Sequence, residues 1–279
     1  MIRQYVTGGT TLSVKLNINE YGPENGRPVV LIHGWPLSGE SWEKQIPALE
    51  GAGFRVIAYD RRGFGQSEKP SSGYDYDTLA SDLSELLEAR NLRDVTLVGF
   101  SMGGGEVARY MSRYGRDRIH SVVFASAVPP YMLKTDDNPD GPLTKEKADE
   151  MESNLRSDRN AFFDQFTTEF FSVGSSLKVD QEDRQKAIEL CRQSDQTAAL
   201  ECMKAFGTTD FRGDLPTVIV PTLVLHGAGD GTVPFEGSGK RTHAAIPGSE
   251  LVVIPDAPHG CNVSHPEEFN TALLEFLRR

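Results

Sequence analysis

The chain has 279 residues, 38% hydrophobic and 25% charged, with a formal net charge of −11. That length and balance suit a globular protein with a sizeable core and exclude a disordered chain. The acidic balance, with no stripe of Arg or Lys, argues against nucleic acid as a partner, because holding phosphates calls for a basic patch.

Met1 to Val6 lack the apolar run of a signal peptide. Apolar runs throughout are strand-sized, short of the ~20 residues of a membrane helix, so no membrane is expected as a partner and the expected location is cytoplasmic. Residues 10–20 alternate through Leu12, Val14, Leu16 and Ile18, the period of an amphipathic strand. Pro28 to Ile32 is apolar throughout, as a strand buried on both faces should be, and five similar runs follow. They are Phe54–Tyr59, Val95–Gly99, Ser121–Ala125, Thr222–His226 and Glu250–Ile254. Helical patterns lie between them: Trp42 to Gly51, Asp77 to Asn91, Gly103 to Tyr114 and, after the last strand, Pro266 to Arg279. Buried strands alternating with amphipathic helices predict an α/β fold with a mostly parallel central sheet covered on both faces. The alternation breaks between about 129 and 213, where four helical stretches stand: Thr144–Arg156, Arg159–Phe171, Gln181–Arg192 and Gln196–Ala205. The expectation is one domain over 1–279 with a helical cap inserted at about 129–213, most of Phe162, Phe163, Phe166, Phe170 and Phe171 being core and one or two facing a pocket. Cys191, Cys202 and Cys261 are odd in number and form no Cys-x-x-Cys pair, which reads as reduced thiols.

Gly99-Phe100-Ser101-Met102-Gly103 follows a buried strand and opens a helix, the context of a nucleophile elbow, in which a strained turn lifts a serine oxygen above the sheet. A hydroxyl is a poor nucleophile until a base takes its proton. The expected chain order is serine, acid, histidine. Of six histidines, His259 fits, just past the last strand in Asp256-Ala257-Pro258-His259-Gly260; His265 reads as a cap, His243 and His120 as surface, and His226 as a bond to nearby backbone. The acid that orients the imidazole is Asp230, directly after a strand among glycines, with Asp256 as the competitor. An oxyanion hole needs two backbone N–H groups, assigned to Met102 and to Trp35 in the loop Ile32-His33-Gly34-Trp35-Pro36; Pro36 has no N–H to offer. His33 reads as loop scaffold. Asp60 and Arg61, after the next strand, read as a pair bracing the loops.

Together these residues resemble the α/β-hydrolase superfamily and, within it, the cofactor-free haloperoxidase-like esterases, also called perhydrolases or bacterial arylesterases. The resemblance is carried by His33-Gly34-Trp35-Pro36-Leu37-Ser38-Gly39, Tyr59-Asp60-Arg61-Arg62-Gly63-Phe64-Gly65, Gly99 to Tyr110, Asp210-Phe211-Arg212 and Ala257-Pro258-His259-Gly260. It implies Ser101, Asp230 and His259 as catalytic triad, Trp35 and Met102 as oxyanion donors, and no metal or cofactor. It implies a small-molecule partner, an aryl or small alkyl ester, with peracid formation from a carboxylic acid and hydrogen peroxide as a second activity, and an oligomer, relatives often being dimers or trimers. Pro36 matches the peroxide-active members. Cys261 and Val263 depart from the bulkier residues of relatives, so the expected substrate pocket includes Pro36, Cys261 and Val263 and is enlarged on the acyl side. A lactonase, a γ-lactamase, a C–C hydrolase or a non-catalytic ligand-binding protein on the same fold stands as the alternative.

Overall fold

The computed structural model describes residues 12–279. The first half of the chain runs β1 (Ile18–Tyr21), β2 (Pro28–Ile32), α1 (Ile46–Gly51), β3 (Arg55–Tyr59), α2 (Tyr76–Ala89), β4 (Val95–Phe100), α3 (Met102–Tyr114) and β5 (Ile119–Ala125). An insertion follows: α4 (Lys145–Ser157), α5 (Arg159–Phe170), a hairpin of β6 (Ser172–Val173) and β7 (Ser176–Leu177), α6 (Gln181–Gln193) and α7 (Gln196–Thr208). The chain then returns through β8 (Thr222–Gly227), α8 (Gly239–Ala245), β9 (Glu250–Ile254), the short α9 (Cys261–Ser264) and α10 (Pro266–Leu277). The sheet order is β1-β3-β2-β4-β5-β8-β9; β1 runs antiparallel to β3 and every other neighbour pair is parallel.

The apolar runs form the middle of this sheet because both its faces are covered. Val29, Val30, Leu31 and Ile32 on β2, and Val95, Leu97 and Val98 on β4, have no exposed surface. Each such side chain contributes roughly 1.5–3 kcal/mol before the entropy of ordering is subtracted. Leu79, Leu83, Leu86 and Leu87 line the buried face of α2, which Asp75 starts by accepting from Thr78 N. Pro266 opens α10, where its missing N–H costs nothing, and Phe269, Leu273 and Leu277 turn inward.

Two sequence expectations are corrected. Within residues 10–20 only Ile18–Tyr21 is strand; residues 10 and 11 lie outside the described residues. The alternation is real, since Val14 and Leu16 are buried between exposed Ser13 and Lys15. The backbone donors there, however, go to side chains of Glu85, Glu68 and Ser67 and not to a neighbouring strand. The helix expected over Trp42 to Gly51 is a 3₁₀ turn over Gly39–Trp42 followed by α1. Pro47 falls in the first turn of α1, a position it tolerates, whereas deep inside a longer helix it would remove a bond and clash.

The four helices of the insertion start where capping side chains stand. Thr144, Asp158, Asp180 and Asp195 each accept a hydrogen bond from a backbone N–H in the first turn of α4, α5, α6 and α7. Such caps are worth about 1 kcal/mol apiece. They explain why the insertion folds as short separate helices.

The strand order decides where a ligand can sit. From β2 the chain adds β3 on one side and then β4 on the other. In open α/β sheets the crevice at the carboxyl ends of strands flanking such a reversal is the binding place. The segments leaving those two strands are His33–Pro36 after β2 and Ser101 after β4.

Candidate active site

Ser101 stands between β4 and α3 with φ +54° and ψ −118°, a region side chains rarely adopt. The turn is held by three backbone bonds: Ser101 N donates to Ala125 O at 2.9 Å, while Ser101 O accepts from Gly104 N at 3.0 Å and Val128 N at 3.2 Å. Glycine is required on both flanks. A Cβ on Gly99 would stand 2.5 Å from Gly103 O, and one on Gly103 would stand 2.5 Å from Ile32 O. Met102 is the first residue of α3, so its N–H has no acceptor within the helix.

His259 reaches Ser101 from the loop after β9. Its Nε2 is 2.9 Å from Ser101 Oγ and its Nδ1 is 2.7 Å from Asp230 Oδ2. An Nδ1–H donating to the carboxylate leaves Nε2 as the acceptor for the serine hydroxyl proton. Two contacts hold the ring: Phe100 at 5.2 Å and Phe170 at 4.9 Å between centroids. Phe170 also accepts through its carbonyl from Gly260 N at 2.9 Å, so the end of α5 grips the histidine loop.

Asp230 follows β8. Oδ1 accepts from Val233 N at 2.7 Å and Thr232 N at 3.0 Å. Oδ2 faces two imidazoles, His259 Nδ1 and, at 3.3 Å, His226 Nε2. Burial works to raise its carboxyl, but the His259 charge and the hydrogen bonds from His226 and His259 outweigh it and bring the pKa down to about 2. Asp256, the sequence competitor, instead pairs with Lys178 at 2.7 Å on the surface.

The loop carrying Trp35 rests on a buried polar network. His33 Nδ1 lies 2.8 Å from Gly34 O, and His33 Nε2 accepts from Arg61 N at 2.9 Å. Arg61 Nη2 donates to His33 O at 2.7 Å. Burial, with the Arg61 charge added, pushes the His33 imidazole well below its ordinary value, so it stays neutral, as a scaffold should. The expected Asp60–Arg61 pair does not form. Arg61 pairs with Glu106 of α3, which also accepts from Tyr59 Oη at 2.8 Å; Arg61 and Glu106 are both about 1% exposed. Asp60 accepts instead from Gly39 N, Gln66 N and Asn17 Nδ2. Adjacent residues at a strand end point apart, which neighbourhood in sequence conceals. Trp35 Nε1 donates to Ala199 O at 2.9 Å, and no acceptor among the described residues is bonded to its backbone N.

An apolar cavity opens on Ser101 and His259, with an empty volume of about 440 Å³ including its mouth. Val128, Met132, Leu143, Met151, Phe166 and Phe206 form most of its wall, and Trp35, Thr232 and Val233 complete it. The structure places the three expected pocket residues elsewhere. Cys261 begins α9, which turns it onto the core with Sγ 3.5 Å from Ser126 Oγ. Val263, on the same short helix, packs partly buried against the core, and Pro36 is buried beyond Trp35. Of the five phenylalanines between Phe162 and Phe171, Phe166 lines the cavity, while Phe163 and Phe171 are core. Thr232 and Val233 were recoverable from their closeness to Asp230. Met132, Leu143, Met151 and Phe206 lie far apart along the insertion, and no sequence spacing links them to Ser101. The three cysteines are free and buried, and burial pushes Cys202 and Cys261 up to about 12.

A profile for the α/β-hydrolase fold matches residues 27–266. The solved structure of a bromoperoxidase from Bacillus anthracis superposes with a TM-score of 0.93 at 52% identity, covering 95% of this chain and 96% of that one. A non-heme chloroperoxidase of Kitasatospora aureofaciens is 44% identical over 91% of this chain and 93% of its own. A bifunctional esterase/perhydrolase of Acinetobacter calcoaceticus is 36% identical over 98% of this chain and 99% of its own.

Proposed function

Because the chain belongs to the α/β-hydrolase superfamily and, within it, to the non-heme haloperoxidase branch, we propose that it is a serine carboxylesterase that also makes peracids. The observation that carries this reading is the chain of contacts Asp230 Oδ2 to His259 Nδ1 at 2.7 Å and His259 Nε2 to Ser101 Oγ at 2.9 Å, at the floor of an apolar cavity. His259 takes the hydroxyl proton as Ser101 attacks the ester carbonyl. The oxyanion is held by the backbone N–H groups of Met102 and Trp35. Removing one such donor costs about 3 kcal/mol of transition-state stabilisation. His259 then protonates the departing alcohol, and Asp230 stabilises the imidazolium formed on the way. Water, activated by the same imidazole, releases the acid and restores Ser101. Hydrogen peroxide in place of that water releases a peracid, the second activity in the name of the Acinetobacter relative. The segment at about 129–213 acts as a cap, its Met132, Leu143, Met151, Phe166 and Phe206 enclosing the acyl group in apolar surface.

The test is a graded series of p-nitrophenyl esters, acetate to branched acyl groups, on the wild type and Ser101→Ala. The expected result is turnover of the small members and a loss in kcat of roughly 10⁶-fold in Ser101→Ala. Bromide oxidation with acetate and peroxide, measured alongside, should vanish in the same variant. A wild type that turns over no ester overturns the esterase reading, and turnover surviving in Ser101→Ala removes the serine as nucleophile.

A further inference from the structure

The cavity that holds Ser101 and His259 also presents two thioethers. Met132, 4% exposed, and the half-buried Met151 belong to its wall. Met111 and Met203 are buried without lining it, and Met102 enters α3 directly behind the nucleophile. A thioether in such a wall is inert toward esters, alcohols and carboxylic acids. It is not inert toward a peracid. A peracid hands its terminal peroxy oxygen to sulfur: the O–O bond breaks, an S–O bond forms, sulfur is oxidised by two electrons, and the proton goes to the departing carboxylate. The products are a carboxylic acid and methionine sulfoxide.

We propose that Met132 and Met151 are sites of self-oxidation, modified by the peracid released when hydrogen peroxide cleaves the Ser101 acyl-enzyme. The proposal rests on the perhydrolase part of the function given above. Peroxide attacks the acyl carbonyl, the bond to Ser101 Oγ breaks, Ser101 recovers its proton, and the peracid is set free inside the cavity. Both sulfurs line the cavity in which it is set free. Met132 has almost no surface on bulk solvent, so oxidant reaches it by way of the cavity. The sulfoxide is polar, and the wall it joins is mostly apolar, with Val128, Leu143, Phe166 and Phe206 beside the few polar groups Ser101, Thr232 and His259. Seating a strong acceptor there weakens the binding of an apolar acyl group. Perhydrolysis is thereby self-limiting.

The experiment incubates the wild type with acetate and hydrogen peroxide, maps methionine sulfoxide by peptide mass, and follows the KM for p-nitrophenyl butyrate. Met132 sulfoxide should exceed about tenfold its level with peroxide alone, and its level in Ser101→Ala given both reagents. The butyrate KM should rise about tenfold as it forms. The double variant Met132→Leu/Met151→Leu, a swap that conserves volume, should hold its own starting KM through the same incubation. Equal sulfoxide in Ser101→Ala would make the oxidation a bulk effect and overturn the proposal. A wild type that oxidises bromide yet leaves Met132 reduced would overturn it too. A wild type that forms no peracid removes the perhydrolase reading and the internal oxidant with it. Added peracetic acid separates these failures: the cavity route requires Met132 to be oxidised before Met111 and Met203, and no such order refutes that route whatever the enzyme makes.

Discussion

His226 stands on the opposite side of Asp230 from His259. Its Nε2 lies 2.8 Å from Val233 O and 3.3 Å from Asp230 Oδ2, and its Nδ1 is buried without a partner among the described residues. Two acceptors face Nε2 and none among the described residues faces Nδ1, so the geometry calls for an N–H at Nε2. From there it fastens the strand end to the Val233 turn and presents a dipole to the carboxylate that orients His259. Hydrogen bonds to charged groups are worth about 1.5–3 kcal/mol, so His226→Leu should lower kcat for p-nitrophenyl acetate by about ten- to a hundredfold with little change in KM. His226→Gln, which can offer an amide N–H near the same place, should recover most of it. Wild-type kcat in His226→Leu would refute a role in positioning Asp230. Sequence reading assigns His226 to backbone and is right as far as Val233. Its approach to Asp230 arises from the turn at Gly227 to Gly231 folding back, which no spacing reveals.

At the scale of elements, β2, β3 and α3 are joined beneath the loop from His33 to Pro36 by charges with almost no access to water. Arg61 leaves β3, pairs with Glu106 on α3 and donates to His33 O after β2. Glu106 holds it there: Glu106→Leu leaves a buried guanidinium unpaired and should cost about 3–5 kcal/mol in urea unfolding. Arg61→Met/Glu106→Leu removes both charges and should return to within about 2 kcal/mol of the wild type. Its kcat should nevertheless stay low, since the bond from Arg61 to His33 O that holds the Trp35 loop is gone. Recovery of both stability and kcat would show that the network serves stability alone. The helices and strands involved are legible as elements from periodicity and apolar runs. The pairing between them is not, because Arg61 and Glu106 are 45 residues apart and Asp60 is the nearer acid.

For the whole molecule, Asp230 links folding to acid. Its carboxyl is held at about 2 against an ordinary 3.8, so the folded state binds its proton later than the unfolded chain does. The stability this confers, about 2 kcal/mol, is fully present above pH 4 and is lost as pH falls through the folded value near 2. Asp230→Asn lacks that carboxylate. The gap in Tm between wild type and Asp230→Asn should therefore be widest near neutrality and shrink between pH 4 and pH 2. A gap that stays constant over that interval would mean that hydrogen-bond geometry, and not the ionised carboxylate, supplies the stability.

What the amino-acid order determined by itself was most of what local rules govern: the buried apolar strands, the amphipathic helices, the four helical stretches of the insertion, and the strained Gly-x-Ser-x-Gly turn that marks Ser101. The chain order of serine, acid and histidine pointed to Asp230 and His259, each just past a strand, and these are the two side chains in line with Ser101. Tertiary structure alone decided what these groups touch. It brought β2 and β4 side by side, so that Trp35 and Met102 border Ser101. It laid Phe170 against His259. It built the cavity over Ser101 from Met132, Leu143, Met151, Phe166 and Phe206 while α9 turned Cys261 and Val263 away. The physical reason is one of range. Periodicity, caps and turns act over a few residues along the chain, whereas a pocket wall is set by which faces of distant elements the packing of the core leaves together.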